Sequence, residues 1–116
     1  MSAPRPINFE CIAGDSIQLR FVVRDQDQVI TDISGYTINF AARREGASAP
    51  IFETPSTVES LITNAVGGEF LITVPSLQTV GKIGEYAWQC EVESPLGLVQ
   101  TVGRGKLMFL ESVAGQ

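Results

Sequence analysis

The chain has 116 residues, 44% hydrophobic and 18% charged, which is the size and composition of one compact domain and not of a disordered tail. Eight Lys and Arg against thirteen Asp and Glu leave a net charge of −5, with no basic tract to neutralise phosphates, so nucleic-acid binding is not expected. There is no His, and there are only two Cys. Without His the Ser/His and Cys/His nucleophile pairs, the commonest general base and imidazole metal sites are all missing. Two thiols cannot form a four-thiolate zinc site, so no cofactor is expected.

The first residues, Met1-Ser2-Ala3-Pro4-Arg5-Pro6, contain no apolar stretch of signal-peptide length, and no apolar run is long enough to span a bilayer. The expectation is a protein that folds in the cytoplasm, without a membrane association. Cys11 and Cys90 are then expected as reduced thiols, although the sequence leaves a bridge between them open. One domain is expected over 1–116, with flexible ends at about 1–5 and 112–116.

In chain order, a short strand is predicted over Ile7–Ile12, ahead of a longer one in which Ile17, Leu19, Phe21 and Val23 alternate with polar residues, Val22 being the one exception. Asp25-Gln26-Asp27-Gln28 and Asp32-Ile33-Ser34-Gly35 read as turns and loops. Ile38, Phe40 and Ala42 mark the next inward strand face, followed by short candidates at Ile51–Thr54 and Val58–Asn64. After the turn Asn64-Ala65-Val66-Gly67-Gly68, Phe70, Ile72 and Val74 alternate again. Ser76–Gly81 predicts a single helical turn, capped by Ser76 and stopped by Gly81. Tyr86, Trp88, Cys90 and Val92 alternate with Glu85, Gln89, Glu91 and Glu93, and a last strand runs from Leu98 to about Leu110. Seven to eight short strands make the fold class all-β, an antiparallel sandwich or barrel.

A symmetric turn at Ser94-Pro95-Leu96-Gly97 sets Trp88 opposite Gly103 and Tyr86 opposite Gly105, two large rings over two residues without side chains. The same register puts Cys90 opposite Thr101, Val92 opposite Val99, and Glu85 opposite Lys106 as an ion pair. A bulge at either glycine would change it.

Residues that resemble reactive or binding motifs have simpler readings. Asp25 and Asp27 could give a cation two ligands, but the spacing lacks the glycine and closing glutamate of a calcium loop, and Asp is a favoured turn residue in its own right. Glu85, Glu91 and Glu93 lie on an outer strand face, away from a pocket that could raise a carboxyl pKa. Gly103-Arg104-Gly105-Lys106 is followed by Leu107 in a strand, not by the Ser/Thr and helix of a phosphate loop. Arg20, Arg24, Arg43 and Arg44 are a scattered basic grouping that could steer an acidic protein partner. Cys90 sits on a core-facing position with no base to activate it. Tyr86 is placed like the tyrosine corner of immunoglobulin-like sandwiches, except that Trp88 holds the position where that corner has a Cys.

Four stretches, taken together, carry a resemblance. They are Gly14-Asp15-Ser16 before an alternating strand and Ile33-Ser34-Gly35-Tyr36-Thr37-Ile38 before the next. The others are Gly68 to Pro75 with the turn to Gly84-Glu85-Tyr86, and Ser94-Pro95-Leu96-Gly97 leading to Gly103-Arg104-Gly105. From Gly14 to Leu110 this order resembles the small immunoglobulin-like β-sandwich proteins of tailed bacteriophages and prophages, near the N-terminal domain of phage baseplate upper proteins. The resemblance implies an immunoglobulin-like sandwich and a non-enzymatic virion or tail-associated structural protein. Its partners would be other phage structural proteins and itself, as a homo-oligomer, with no small-molecule substrate. It would reside in the host cytoplasm during assembly and then in the virion; tail, baseplate, neck and head surface all stay open.

Val22, Leu71, Ala87, Val102 and Met108 fall on outward strand positions, and five apolar residues there predict a protein-contact surface. A carbohydrate- or host-surface-binding sandwich is the competing reading, and it requires exposed aromatic rings.

Overall fold

The protein's structure, a computed structural model, describes residues 5–112. The predicted flexible ends lie almost wholly outside the described residues.

Eight strands and one helical turn follow in order: β1 Phe9–Ile12, β2 Ile17–Val22, β3 Thr37–Arg43, β4 Phe52–Glu53, β5 Glu59–Asn64, β6 Glu69–Val74, α1 Ser76–Thr79, β7 Gly84–Glu93 and β8 Val99–Leu110. They form two facing sheets, a five-stranded one in the order β1-β8-β7-β3-β4 and a three-stranded one in the order β2-β6-β5. The fold is therefore the all-β sandwich that the alternation predicts. One pair departs from the antiparallel expectation: β1 runs parallel to β8, with Phe9 beside Leu107 and Cys11 beside Phe109. After β1 the chain passes through Ala13–Ser16 into the other sheet, so β1 covers the edge of β8 without a hairpin between them.

Inward positions of both sheets build one core. Trp88 of β7 is its centre, stacked on Phe40 at 5.9 Å and tilted against Phe9 at 5.5 Å between ring centroids. Phe21 of β2 stacks on Phe70 of β6 at 4.9 Å. A second group joins Phe109 to Tyr86 and Phe52, both edge to face. Some buried side chains come from segments outside the strands. Ile33 and Val58, both fully buried, anchor the loop before β3 and the stretch before β5.

The β7–β8 hairpin departs from the symmetric register. The Ser94 N–H donates to Leu98 O, so the turn holds three residues, Pro95, Leu96 and Gly97, with Gly97 at φ 85°. That is a wide turn closed by a left-handed glycine. A bulge at Val102 adds one more residue between the pairs Cys90–Gly103 and Glu91–Thr101. Between the turn and the bulge β8 is slid by one residue, which turns Val99–Val102 over, and beyond the bulge it is slid by two, which keeps Gly103–Leu110 on their predicted faces. Trp88 thus pairs with Gly105, Tyr86 with Leu107, Cys90 with Gly103 and Val92 with Gln100. The Trp88 ring still lies over Gly103, where a Cβ would stand 2.8 Å from Cη2. Glu85 pairs with Met108, yet its carboxylate reaches Lys106 diagonally at 3.0 Å.

The helical turn is present, but its N-cap is Pro75, with no side-chain capping bond, and Ser76 is its first residue. Gly81, at φ 76°, follows the C-cap Val80 and ends the turn as predicted. Thr79, fully buried, ties this turn to the β1–β2 loop. Its Oγ1 accepts the Gly14 N–H at 3.0 Å and lies 2.7 Å from Asp15 O, to which its hydroxyl donates.

Candidate protein-contact surface

The five predicted contact residues do not form one patch. Val22 and Leu71 lie on the outer face of the three-stranded sheet, where Leu71 is directly opposite the exposed Leu61 of β5. Ala87 and Met108 lie on the outer face of the five-stranded sheet, on the far side of the sandwich. Val102 was expected outward. The bulge turns it toward the gap between the sheets, where it packs against the core.

A different surface gathers at one end. The loops β2–β3, β5–β6 and β7–β8 meet there because their strands run antiparallel. Each loop is fixed by its own chemistry. Asp25 Oδ1 accepts the N–H groups of Asp27 and Val29 at 2.8 and 3.0 Å, so this acidic pair builds a turn. Thr31 N–H returns to Val23 O, and Ile33 N–H donates to Ala65 O, joining the first loop to the second. The Gln100 side-chain amide donates to Arg24 O at 3.0 Å, joining the first loop to the base of the third. Ser94 Oγ accepts the N–H groups of Leu96 and Leu98.

Loops satisfied internally in this way have their side chains free to face outward. Val29, Ile30, Val66, Leu96, Leu98 and Val99 are all exposed, Leu96 to 88%. Single exposed apolar residues are ordinary, whereas five on the loops of one end, with Val99 at the start of β8 beside them, make this end the candidate contact surface. Acidic groups surround them. Asp32 accepts from the Ser34 hydroxyl at 2.6 Å and from its N–H at 2.9 Å, and these bonds hold its carboxyl below the usual range. The sequence did carry a signal for this surface: leucines and valines set among turn residues, where neither core packing nor turn geometry calls for them.

Clefts also open elsewhere among the described residues. One of about 400 Å³ lies on the outer side of β3, β4 and β7, beside Asn39, Pro50, Thr54 and Gln89. A second, of about 620 Å³, lies over β7 and β8 beside Asn8, Glu45 and Arg104, with the Glu85–Lys106 pair in its wall. That carboxylate holds the Lys106 ammonium above its ordinary value. A third, of about 400 Å³, opens between the sheets at the β1 and β2 edges, lined by Ile7, Phe9, Leu19, Phe21 and Val102. Among the described residues no group of three or more Cys, Asp or Glu is placed to hold a metal ion, and no helix is long and apolar enough to cross a membrane.

Both thiols are free. Cys11 lies beside Phe109 and Cys90 beside Gly103 along β8, a separation of roughly 20 Å at strand spacing. Burial pushes the Cys90 thiol up to about 12, with Glu91 adding to the effect, and burial raises Cys11 as well. Such thiols are poor nucleophiles.

The sequence matches no protein-family model and no curated protein. The structure is similar to the N-terminal Ig1-2 module of the Drosophila receptor protein tyrosine phosphatase DLAR, at 14% identity and a TM-score of 0.52, covering 95% of this chain and 48% of that one. It is also similar to the SrpA adhesin of Streptococcus sanguinis (an R347E mutant), at 11% identity and a TM-score of 0.55, covering 97% of this chain and 58% of that one. The chain thus spans about half the length of each. Together with the strand order, these likenesses make the fold an immunoglobulin-like β-sandwich.

Proposed function

We propose that this chain is a non-enzymatic structural module of a tailed phage or prophage particle, working as one domain that binds neighbouring virion proteins. The observation that carries the contact role is the loop end, where six apolar side chains stand on an internally hydrogen-bonded frame. A surface of that kind gains affinity by excluding water at little ordering cost, since its loops are already fixed. The phage setting draws its support from the sequence resemblance, in the turn glycines and core aromatics between Gly14 and Leu110. The adhesin and receptor modules with a similar fold are compatible with a binding role. A carbohydrate-binding role draws less support, because Trp88, Tyr86 and four of the Phe rings are buried and offer no stacking platform.

In this reading the protein assembles in the host cytoplasm and ends in the virion. Mass spectrometry of particles purified from the host that carries the gene tests it. The expected result is recovery of this chain in fixed ratio to tail or head proteins. Its absence from intact particles overturns the proposal.

A further inference from the structure

The sandwich is elongated, 44 × 26 × 22 Å, and exposed apolar side chains concentrate at both of its ends. Opposite the loop end just described, the base is formed by the β1–β2 loop, the α1 turn with the segment leading to β7, and the last residues of β8. Leu77, Val80, Ile83, Ile12 and Leu110 are exposed there, Leu77 to 83%. Ile12 pairs with Leu110 across the parallel ladder, and Ile83 precedes Gly84, which pairs with Phe109, so these three lie together at this end, with Leu77 and Val80 in and beside the helical turn.

The two ends differ in charge. Around the loop end stand Asp25, Asp27, Asp32, Glu69 and Glu93 against Arg24 alone, five carboxylates to one guanidinium. By the same measure the base carries Arg43, Arg44 and Lys82 against Asp15, Glu45, Glu59 and Glu111, three cations to four carboxylates. Arg44 is held in place, its guanidinium donating to Ile83 O at 2.8 Å and lying 4.6 Å from the centre of the Tyr86 ring.

We propose that copies of this chain stack head to tail, the loop end of one on the base of the next. This rests on the reading of the loop end as a contact surface and names its partner as a second copy. Two loop ends repel each other, because like charges set face to face oppose association. The base offers apolar side chains of matching kind and is close to neutral, with Arg43, Arg44 and Lys82 interspersed among its carboxylates. An end face of 26 × 22 Å buries on the order of 1,000 Å² over both partners, the lower limit for a specific interface, so the contact is reversible. Because its two faces are different surfaces, each added copy presents a fresh end, and stacking continues beyond a dimer.

Two variants test this, Leu96→Asp at the loop end and Leu77→Asp at the base. Both positions are exposed, and near-UV circular dichroism with a thermal melt checks that each variant folds as the wild type does. Light scattering after size exclusion, from micromolar to millimolar protein, is expected to show a wild-type mass that climbs past the dimer. Each variant alone is expected to be monomeric throughout. Mixed in equal amounts, they are expected to give a dimer and nothing larger, since the intact loop end of one meets the intact base of the other. Leu98→Asp with Val80→Asp repeats the test at second positions. A monomeric wild type overturns the stacking, as does a Leu77→Asp protein that still dimerises, or a mixture that stays monomeric. A monomer that is nonetheless found in purified particles loses the self-stacking and keeps the structural role.

Discussion

Phe21 of β2 and Trp88 of β7 meet edge to face between the sheets, with ring centroids 6.1 Å apart and planes inclined at 60°. In antibody domains the two sheets are joined by a disulfide, and its second Cys lies two residues after the corner tyrosine. Here Trp88 lies two residues after Tyr86, and an aromatic contact stands where the covalent one would be. Trp88→Ala and Phe21→Ala are each expected to cost about 3–5 kcal/mol, with Trp88→Phe costing less. Urea unfolding followed by far-UV circular dichroism measures this; a loss below about 1 kcal/mol for Trp88→Ala would contradict a central role. The wild-type midpoint is expected to be the same with and without a thiol reductant.

Thr79 is a buried hydroxyl with a full set of partners. Thr79→Val keeps the shape and leaves the Gly14 N–H without its acceptor, at an expected cost of about 1–3 kcal/mol. Hydrogen exchange should show the Gly14 amide losing protection ahead of the β-ladder amides. Unchanged protection at Gly14 would mean that another acceptor serves it.

Gly105 is required by a close approach of backbone. A Cβ there would overlap the Ile7 carbonyl, which itself accepts the Trp88 Nε1–H at 3.0 Å. Gly105→Ala is expected to push the segment ahead of β1 off β8, breaking the Ile7 N–H to Arg104 O bond as well. The expected cost is about 1–3 kcal/mol, the range for overpacking. The Ile7 amide should then exchange at nearly the rate of an unfolded chain, and a protected amide would count against the steric account.

Cys90 gives stability an alkaline limit. In the unfolded chain the thiol ionises near its ordinary 9.0, whereas in the fold it keeps its proton to about 12. Above pH 9 the unfolded state therefore binds fewer protons than the native one, so stability falls as pH rises. The contribution is fully present below pH 9, and the slope above it is about 1.4 kcal/mol per pH unit for one such group. Denaturant midpoints measured between pH 8 and 11 should show this decline, and Cys90→Ala should flatten it. An equal slope in the variant would assign the decline to other groups.

The sandwich was legible because burial on one side imposes a period of two, seen most clearly from Tyr86 to Val92. All eight strands and the helical turn follow from that period and from the turn residues between them. What alternation cannot specify is which strand lies beside which, so the parallel β1–β8 pair stayed hidden. Nor does parity detect a slide of two residues. The left-handed Gly97 and the bulge at Val102 moved Trp88 from Gly103 to Gly105 without changing the face of either. Ile33 and Val58 are buried in segments with no period, where only the assembled core explains an apolar side chain. Strand parity points to Leu71 and Ala87 as contact residues, and the two lie on opposite sheets. Leu96 and Val66 read as turn sequence and Leu98 as the start of the last strand, although an apolar residue in a turn is where burial has least claim on it.

Trp88 is the protein's one tryptophan, and its ring nitrogen donates to Ile7, a residue 81 positions earlier in the chain. The indole therefore carries two separate pieces of information to an optical measurement. Its ring reports whether the sheets are closed, and its N–H reports whether the lead-in to β1 is seated on β8. Detachment of that segment alone would wet one edge of the indole and shift its emission, while circular dichroism still recorded an intact sandwich. The molecule contains its own fluorescent gauge for the seating of its N-terminal segment, with no label attached.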